Sequence, residues 1–186
     1  MKTKKVFKNF LLIYKFLPSL ISSIDKLIML RGINSSSYKT DVNTTTLGQI
    51  NSIITLSERK VLLINLRVLA NEVFSKMRKD YVKILVLRFI DGWESKKIAE
   101  VLGLNVRTYF RRLNLAVSAF ESGMNMEIAK KEHIFLKGDN SQMQSIFDKL
   151  EKWEGYDEDV EVDTNKCGTL ICNSLMKDIK RKSLCC

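Results

Sequence analysis

A fold made of helices is what this chain predicts, and two observations carry the prediction. One proline and eight glycines in 186 residues leave few helix breakers, and Leu, Ile, Lys and Glu are abundant. Apolar residues recur at steps of three and four along most of the chain, the period of a helix face. The class is therefore all-α, in three parts: a helical N-terminal arm with a linker over 1–45, a three-helix core over 46–124, and a helical, partly disordered extension over 125–186. With 45% hydrophobic residues the chain can bury one substantial core and a small appendage.

The arm comes first. Lys2, Lys4, Lys5 and Lys8 precede an apolar run that superficially resembles a signal peptide. Lys15 interrupts that run, which is too short to span a bilayer, so neither a cleaved leader nor a membrane partner is expected. Phe7, Phe10, Leu11, Tyr14, Leu17, Ile21, Ile24 and Ile28 instead mark an amphipathic face. Pro18 should kink or interrupt it. A helical hairpin arm or a dimerisation helix follows. Asn34–Thr46, rich in Ser, Thr and Asn, reads as a linker.

Leu47, Ile50, Ile53 and Ile54 predict a short helix, and Ser57-Glu58 the start of the next. Val61, Ile64, Val68, Val73 and Met77 then give a long apolar stripe. Beyond Gly123, amphipathic pieces fall at 126–136 and 141–153. The acidic run 157–163 lacks the spaced ligands and turn glycine of a calcium loop and reads as a solvated linker.

Charge is unevenly spread. Residues 1–124 hold 21 Lys/Arg against 9 Asp/Glu, whereas 125–186 hold 10 against 12. The basic excess suits a polyanionic partner. Cys167, Cys172, Cys185 and Cys186 all lie in the last twenty residues, where no core is expected, and their spacing does not fit a zinc ribbon. Reduced thiols in a cytoplasmic protein are the expectation. His133 stands alone beside Ile134 and Phe135, as a packing or surface residue. Without a phosphate-cradling loop, an acid pair or a Ser/His/Asp set, no enzyme, cofactor or metal is expected.

The strongest signal runs from Ile84 to Phe120. Tyr81, Ile84, Leu85, Leu87 and Ile90 give a packed helix that Asp91-Gly92 terminates. Ser95 is placed to cap a second helix, which buries Ile98, Ala99 and Leu102; alanine at 99 permits a close crossing. Gly103 turns the chain, Leu104 plugs the core and Asn105 caps a third helix, about 105–120. Its inward positions are Val106, Tyr109, Leu113, Val117 and Phe120. Arg107, Thr108, Phe110, Arg111 and Arg112 are left for a ligand. This is the plan of a helix-turn-helix, of the winged-helix-like superfamily without a wing, with a recognition helix for the major groove of double-stranded DNA. Arginine matches guanine O6 and N7, Thr108 a phosphate or a thymine methyl, and Lys96 and Lys97 are placed for phosphates. The DNA-binding candidates are Ser95, Lys96, Lys97, Asn105, Arg107, Thr108, Phe110, Arg111 and Arg112.

These residues resemble region 4 of bacterial sigma-70 family factors. Ser95, Ile98, Ala99, Leu102, Gly103, Thr108 and Arg112 fit its pattern over about residues 57–122. Asn105 replaces a capping serine, and Tyr109-Phe110 stand where Val-Lys is usual, a variant closer to regulators of Gram-positive bacteria and their phages. The resemblance implies promoter DNA as partner, with RNA polymerase a second candidate; apart from it, the helices over 4–30 and 47–78 are the candidate face for a second copy of the chain. Residues 1–56 show no aromatic-rich basic helix of the promoter-melting kind, so the expectation is a freestanding transcription regulator. The alternative is a helical adaptor that docks on polymerase or a phage assembly without reading DNA.

Overall fold

The computed structural model describes residues 4–36, 46–135, 140–153 and 164–182. Every regular element among them is helical: α1 (Lys4–Tyr14), α2 (Leu17–Ser36), α3 (Thr46–Lys76), α4 (Lys79–Leu85) continuing into a π-helical turn (Val86–Ile90), α5 (Ser95–Val101), α6 (Val106–Phe135), α7 (Asn140–Lys152) and α8 (Thr164–Lys182). None of them is long and apolar enough to cross a membrane.

The first helix is not an arm. Val6, Phe7, Phe10, Leu11, Leu12 and Ile13 are all at most 1% exposed. They are enclosed because α1 packs against α6, α7, α8 and the π turn at once. Phe7 lies edge-on to Phe120 at 6.3 Å and to Phe147 at 6.2 Å, tying α1 to α6 and α7. The buried Asn9 donates Nδ2 to the Leu150 carbonyl at 2.6 Å and to that of Trp153 at 3.2 Å, satisfying carbonyls left open at the end of α7. At Gly168 of α8 a Cβ would stand 2.5 Å from the Leu12 carbonyl oxygen, so glycine alone permits this approach to α1. Cys167 and Cys172 are buried there as well, in a core that the sequence did not announce. Burial pushes the Cys172 thiol up to about 12.

Pro18 acts as expected. The chain leaves α1 at Tyr14 and re-enters a helix at Leu17, placing Pro18 in the first turn of α2, where no amide hydrogen is required. Helices α2 and α3 then form an antiparallel hairpin, pinned by Asp25–Lys60 at 2.6 Å and by Arg31 donating to the Ser52 hydroxyl.

Two expected helix boundaries are absent. Ser57 starts nothing: α3 runs unbroken from Thr46 to Lys76, since leucines at 56, 62, 63 and 66 continue the face toward α2. Of the apolar stripe along α3, Val73 is buried and Met77 partly covered. Leu63, Leu66, Leu69, Ala70 and Val73 are inside, while Val61, Ile64 and Val68 are 53, 37 and 45% exposed. Likewise α6 continues through Gly123 to Phe135, crossing the expected boundary at 124/125. Gly123 is retained inside the helix by a close crossing, where its Cβ would meet Val73 Cγ1 at 2.7 Å. One turn further on, Lys76 reaches the covered Glu127 carboxylate at 2.8 Å and Lys130 reaches it at 3.4 Å.

The Ser/Thr stretch at 37–45, the acidic run 157–163, Cys185 and Cys186 lie outside the described residues, as does the His133 side chain.

Candidate nucleic-acid interface

The core that holds the site is assembled by α4, the π turn, α5 and the first half of α6. At the end of α4 the chain adds one residue to a turn: Asp91 donates its amide to the Val86 carbonyl, five residues back, at 2.9 Å. That shift rotates the face which simple helical spacing assigns. Arg88 and Phe89 are buried, whereas Leu87 and Ile90 are only partly covered. Arg88 Nη1 donates to the Trp93 carbonyl at 3.0 Å, and Gly92 takes φ 73, the left-handed turn expected of it.

Ser95 does not cap α5. The position before the helix is Glu94, which makes no side-chain capping bond, and Ser95 is the first helical residue, 7% exposed. Ile98 and Ala99 are buried as expected. The turn follows from Gly103 at φ 62, with Leu104 donating to the Ala99 carbonyl at 2.8 Å. Asn105 then caps α6: its Oδ1 accepts the Arg107 amide at 3.0 Å.

From that cap α6 presents two faces. Tyr109, Leu113, Ala116, Val117 and Phe120 are buried. Arg107, Thr108, Arg111 and Arg112 are exposed on the other side, joined by Leu115 at 49%. Val106 belongs with them rather than with the core, at 41% exposed. Phe110 moves the other way. It was expected on the exposed face between two arginines; it is half-buried, its ring edge-on to Tyr109 at 5.3 Å and packed against the core. Ser95 and Phe110 therefore stand apart from the exposed set.

Sequence spacing missed a cleft of about 360 Å³ beside the recognition helix. Thr108, Arg111, Arg112 and Leu115 line one wall, and Arg78, Asp80 and Tyr81 from the start of α4 line the other. Arg78 sits over the Tyr81 ring at 5.1 Å and 3.5 Å from Asp80, so its guanidinium is held at the rim. The only signal available in the sequence was the run Arg78-Lys79 ahead of a helix start. Lys96 and Lys97 are exposed at the start of α5, with Lys97 Nζ 4.7 Å from the centre of the Trp93 ring. Cations thus stand both in the cleft beside α6 and at the start of α5, the kind of side chain that holds phosphates.

Residues 68–120 match the family model described as Sigma-70, region 4. No curated protein and no solved structure matches the chain. The match begins within α3 and ends at Phe120, so it takes in the last turns of α3, α4, the π turn, α5 and the exposed half of α6. Within a larger helical protein, residues 68–120 are a sigma-70 region 4-like helix-turn-helix domain, a DNA-binding fold of transcription.

Proposed function

We propose that the chain is a freestanding, sequence-specific regulator that binds double-stranded DNA through the N-terminal half of α6. One observation carries this reading: a helix capped by Asn105 has all of Arg107, Thr108, Arg111 and Arg112 on its exposed side, opposite a fully packed Tyr109. Arg107 and Arg111 read bases, Thr108 and Arg112 position the helix, and Asn105, Lys96 and Lys97 meet the backbone. Arg78 adds a phosphate contact across the cleft. Along the chain the DNA-reading segment follows the α2–α3 hairpin and is itself followed by α7 and α8. Cytoplasmic work on bacterial or phage promoters accords with this reading.

Fluorescence anisotropy with duplexes selected from a random pool tests it. Affinity should fall linearly in log–log with salt. Arg107→Ala with Arg111→Ala should remove about 1–3 kcal/mol of discrimination per lost base contact. Unchanged binding and selectivity in the double variant would reject the assigned face.

A second reading rests on a different surface. A groove of about 500 Å³ between α3 and α4 is lined by Phe74, Met77, Val82, Val86 and Leu87, with Lys79 and Lys83 at its edge. It suits an apolar segment of a protein such as RNA polymerase. Capture of polymerase that Val82→Asp abolishes, with no DNA affinity in the same sample, would favour the adaptor.

A further inference from the structure

We infer that α3 is a dimerisation helix whose partner is α3 of a second copy, aligned parallel. One side of α3 is covered by none of the described residues. Leu47, Ile50, Ile54, Val61, Ile64 and Val68 are 67, 49, 49, 53, 37 and 45% exposed. Their spacing alternates three and four, with Ser57 filling the single polar position between Ile54 and Val61. That is an a/d seam sustained over three heptads, about 32 Å of helix.

The seam is not the edge of the existing core. Ser52, Leu56, Leu63, Leu66, Leu69, Ala70 and Val73 are the buried positions of α3, and all but Leu69, at the margin, fall on the opposite side, toward α2 and α6. The helix is apolar on two faces and only one of them is used. A single stray leucine on a surface needs no explanation, but six apolar side chains in strict register do.

The flanks say what the partner is. Beside the seam on one side stand Lys60 and Arg67; on the other stand Glu58 and Glu72. In a parallel pair the basic flank of one copy runs along the acidic flank of the other, and Arg67 of one lies opposite Glu72 of its mate. An antiparallel pair would set basic against basic and acidic against acidic. The surface is thus complementary to itself in one orientation. Arg67 also approaches the Tyr14 hydroxyl of α1 and Lys60 bridges to Asp25 of α2, so this flank is the one next to the chain's own first two helices.

Sedimentation of the full chain across nanomolar to micromolar concentrations tests the inference. A species of twice 21.5 kDa should form and dissociate on dilution. Val61→Asp should raise the dissociation constant at least tenfold while leaving the far-ultraviolet circular dichroism unchanged. Should that variant lose helix, Ile54→Lys at a half-exposed site repeats the test. A monomer at every concentration, or a dimer indifferent to a variant that stays folded, overturns the inference. Orientation is read from Val61→Cys in a chain with Cys185→Ser and Cys186→Ser. Mild oxidation should join it to itself, and a dimer that fails to cross-link at this site overturns the parallel arrangement.

Discussion

Glu127 shows how one side chain couples the two longest helices. Its carboxylate is nearly covered, and it takes Lys76 from α3 and Lys130 from its own helix. The Lys76 hydrogen bond, more than the nearby positive charge of Lys130, holds the carboxyl below the ordinary 4.5, and the same bond raises Lys76 above its usual value. A carboxyl lowered in the folded state adds stability that is fully present above the unfolded value and lost as pH falls through the folded one. Melting temperature should therefore drop as pH is taken below about 4.5, and Glu127→Gln should start lower at pH 7 and lose less over that range. Equal acid slopes for the two proteins would show that Glu127 contributes nothing to the coupling. At this scale, what was legible depended on locality. Asn105 was readable as a cap because its bond closes within two residues. Phe110 was not, because whether an aromatic between arginines lies in or out depends on the neighbouring Tyr109 ring and on packing set elsewhere.

Among elements, the two long helices were the hardest to read. Both α3 and α6 continue through residues that usually mark boundaries, Ser57 and Gly123. Tertiary packing decides in each case: α3 keeps a continuous leucine face on α2, and Gly123 sits where Val73 fills the space. The π turn defeated simple periodicity for a related reason, since one inserted residue moves Arg88 and Phe89 inward. Where turn and helix were specified by neighbouring residues, as in Gly103 followed by Asn105, spacing alone sufficed. The two close-approach glycines should behave differently. A Cβ at 168 meets a backbone oxygen and the Phe16 ring, both at 2.5 Å, so neither α1 nor α8 can relax cheaply. Gly168→Ala should cost about 1–3 kcal/mol, the range for overpacking. At 123 the obstacle is one valine methyl at 2.7 Å, and alanine returns about 1 kcal/mol of helix propensity. Gly123→Ala should be close to neutral, and stabilising in a Val73→Ala background. A thermal series that reverses the order of the two glycines would refute this reading of the crossings.

For the molecule as a whole, α1 matters more than its position at the chain start suggested. Its amphipathic spacing was legible but not its surroundings, because the helices that enclose it, α6, α7 and α8, begin more than ninety residues further along the chain. A periodic pattern reports that a face will be buried, not against what. The consequence is a helix-turn-helix whose support comes from both ends of the chain. Phe120 of α6 stacks on Phe10 at 6.3 Å and touches Phe74 at 5.1 Å, so one aromatic cluster joins α1, α3 and α6. Fully burying an apolar side chain of this size stabilises by about 1.5–3 kcal/mol. Six such side chains on α1 fill the space between α6, α7 and α8, so their loss would leave the facing apolar side chains open to water. A chain lacking residues 1–16 should therefore lose its cooperative melt and its protease resistance throughout, including residues 106–120 of the recognition helix. Limited proteolysis followed by mass spectrometry reads this directly. If 68–120 stayed protected in the shortened chain, the domain would be self-sufficient and α1 only a cover over it.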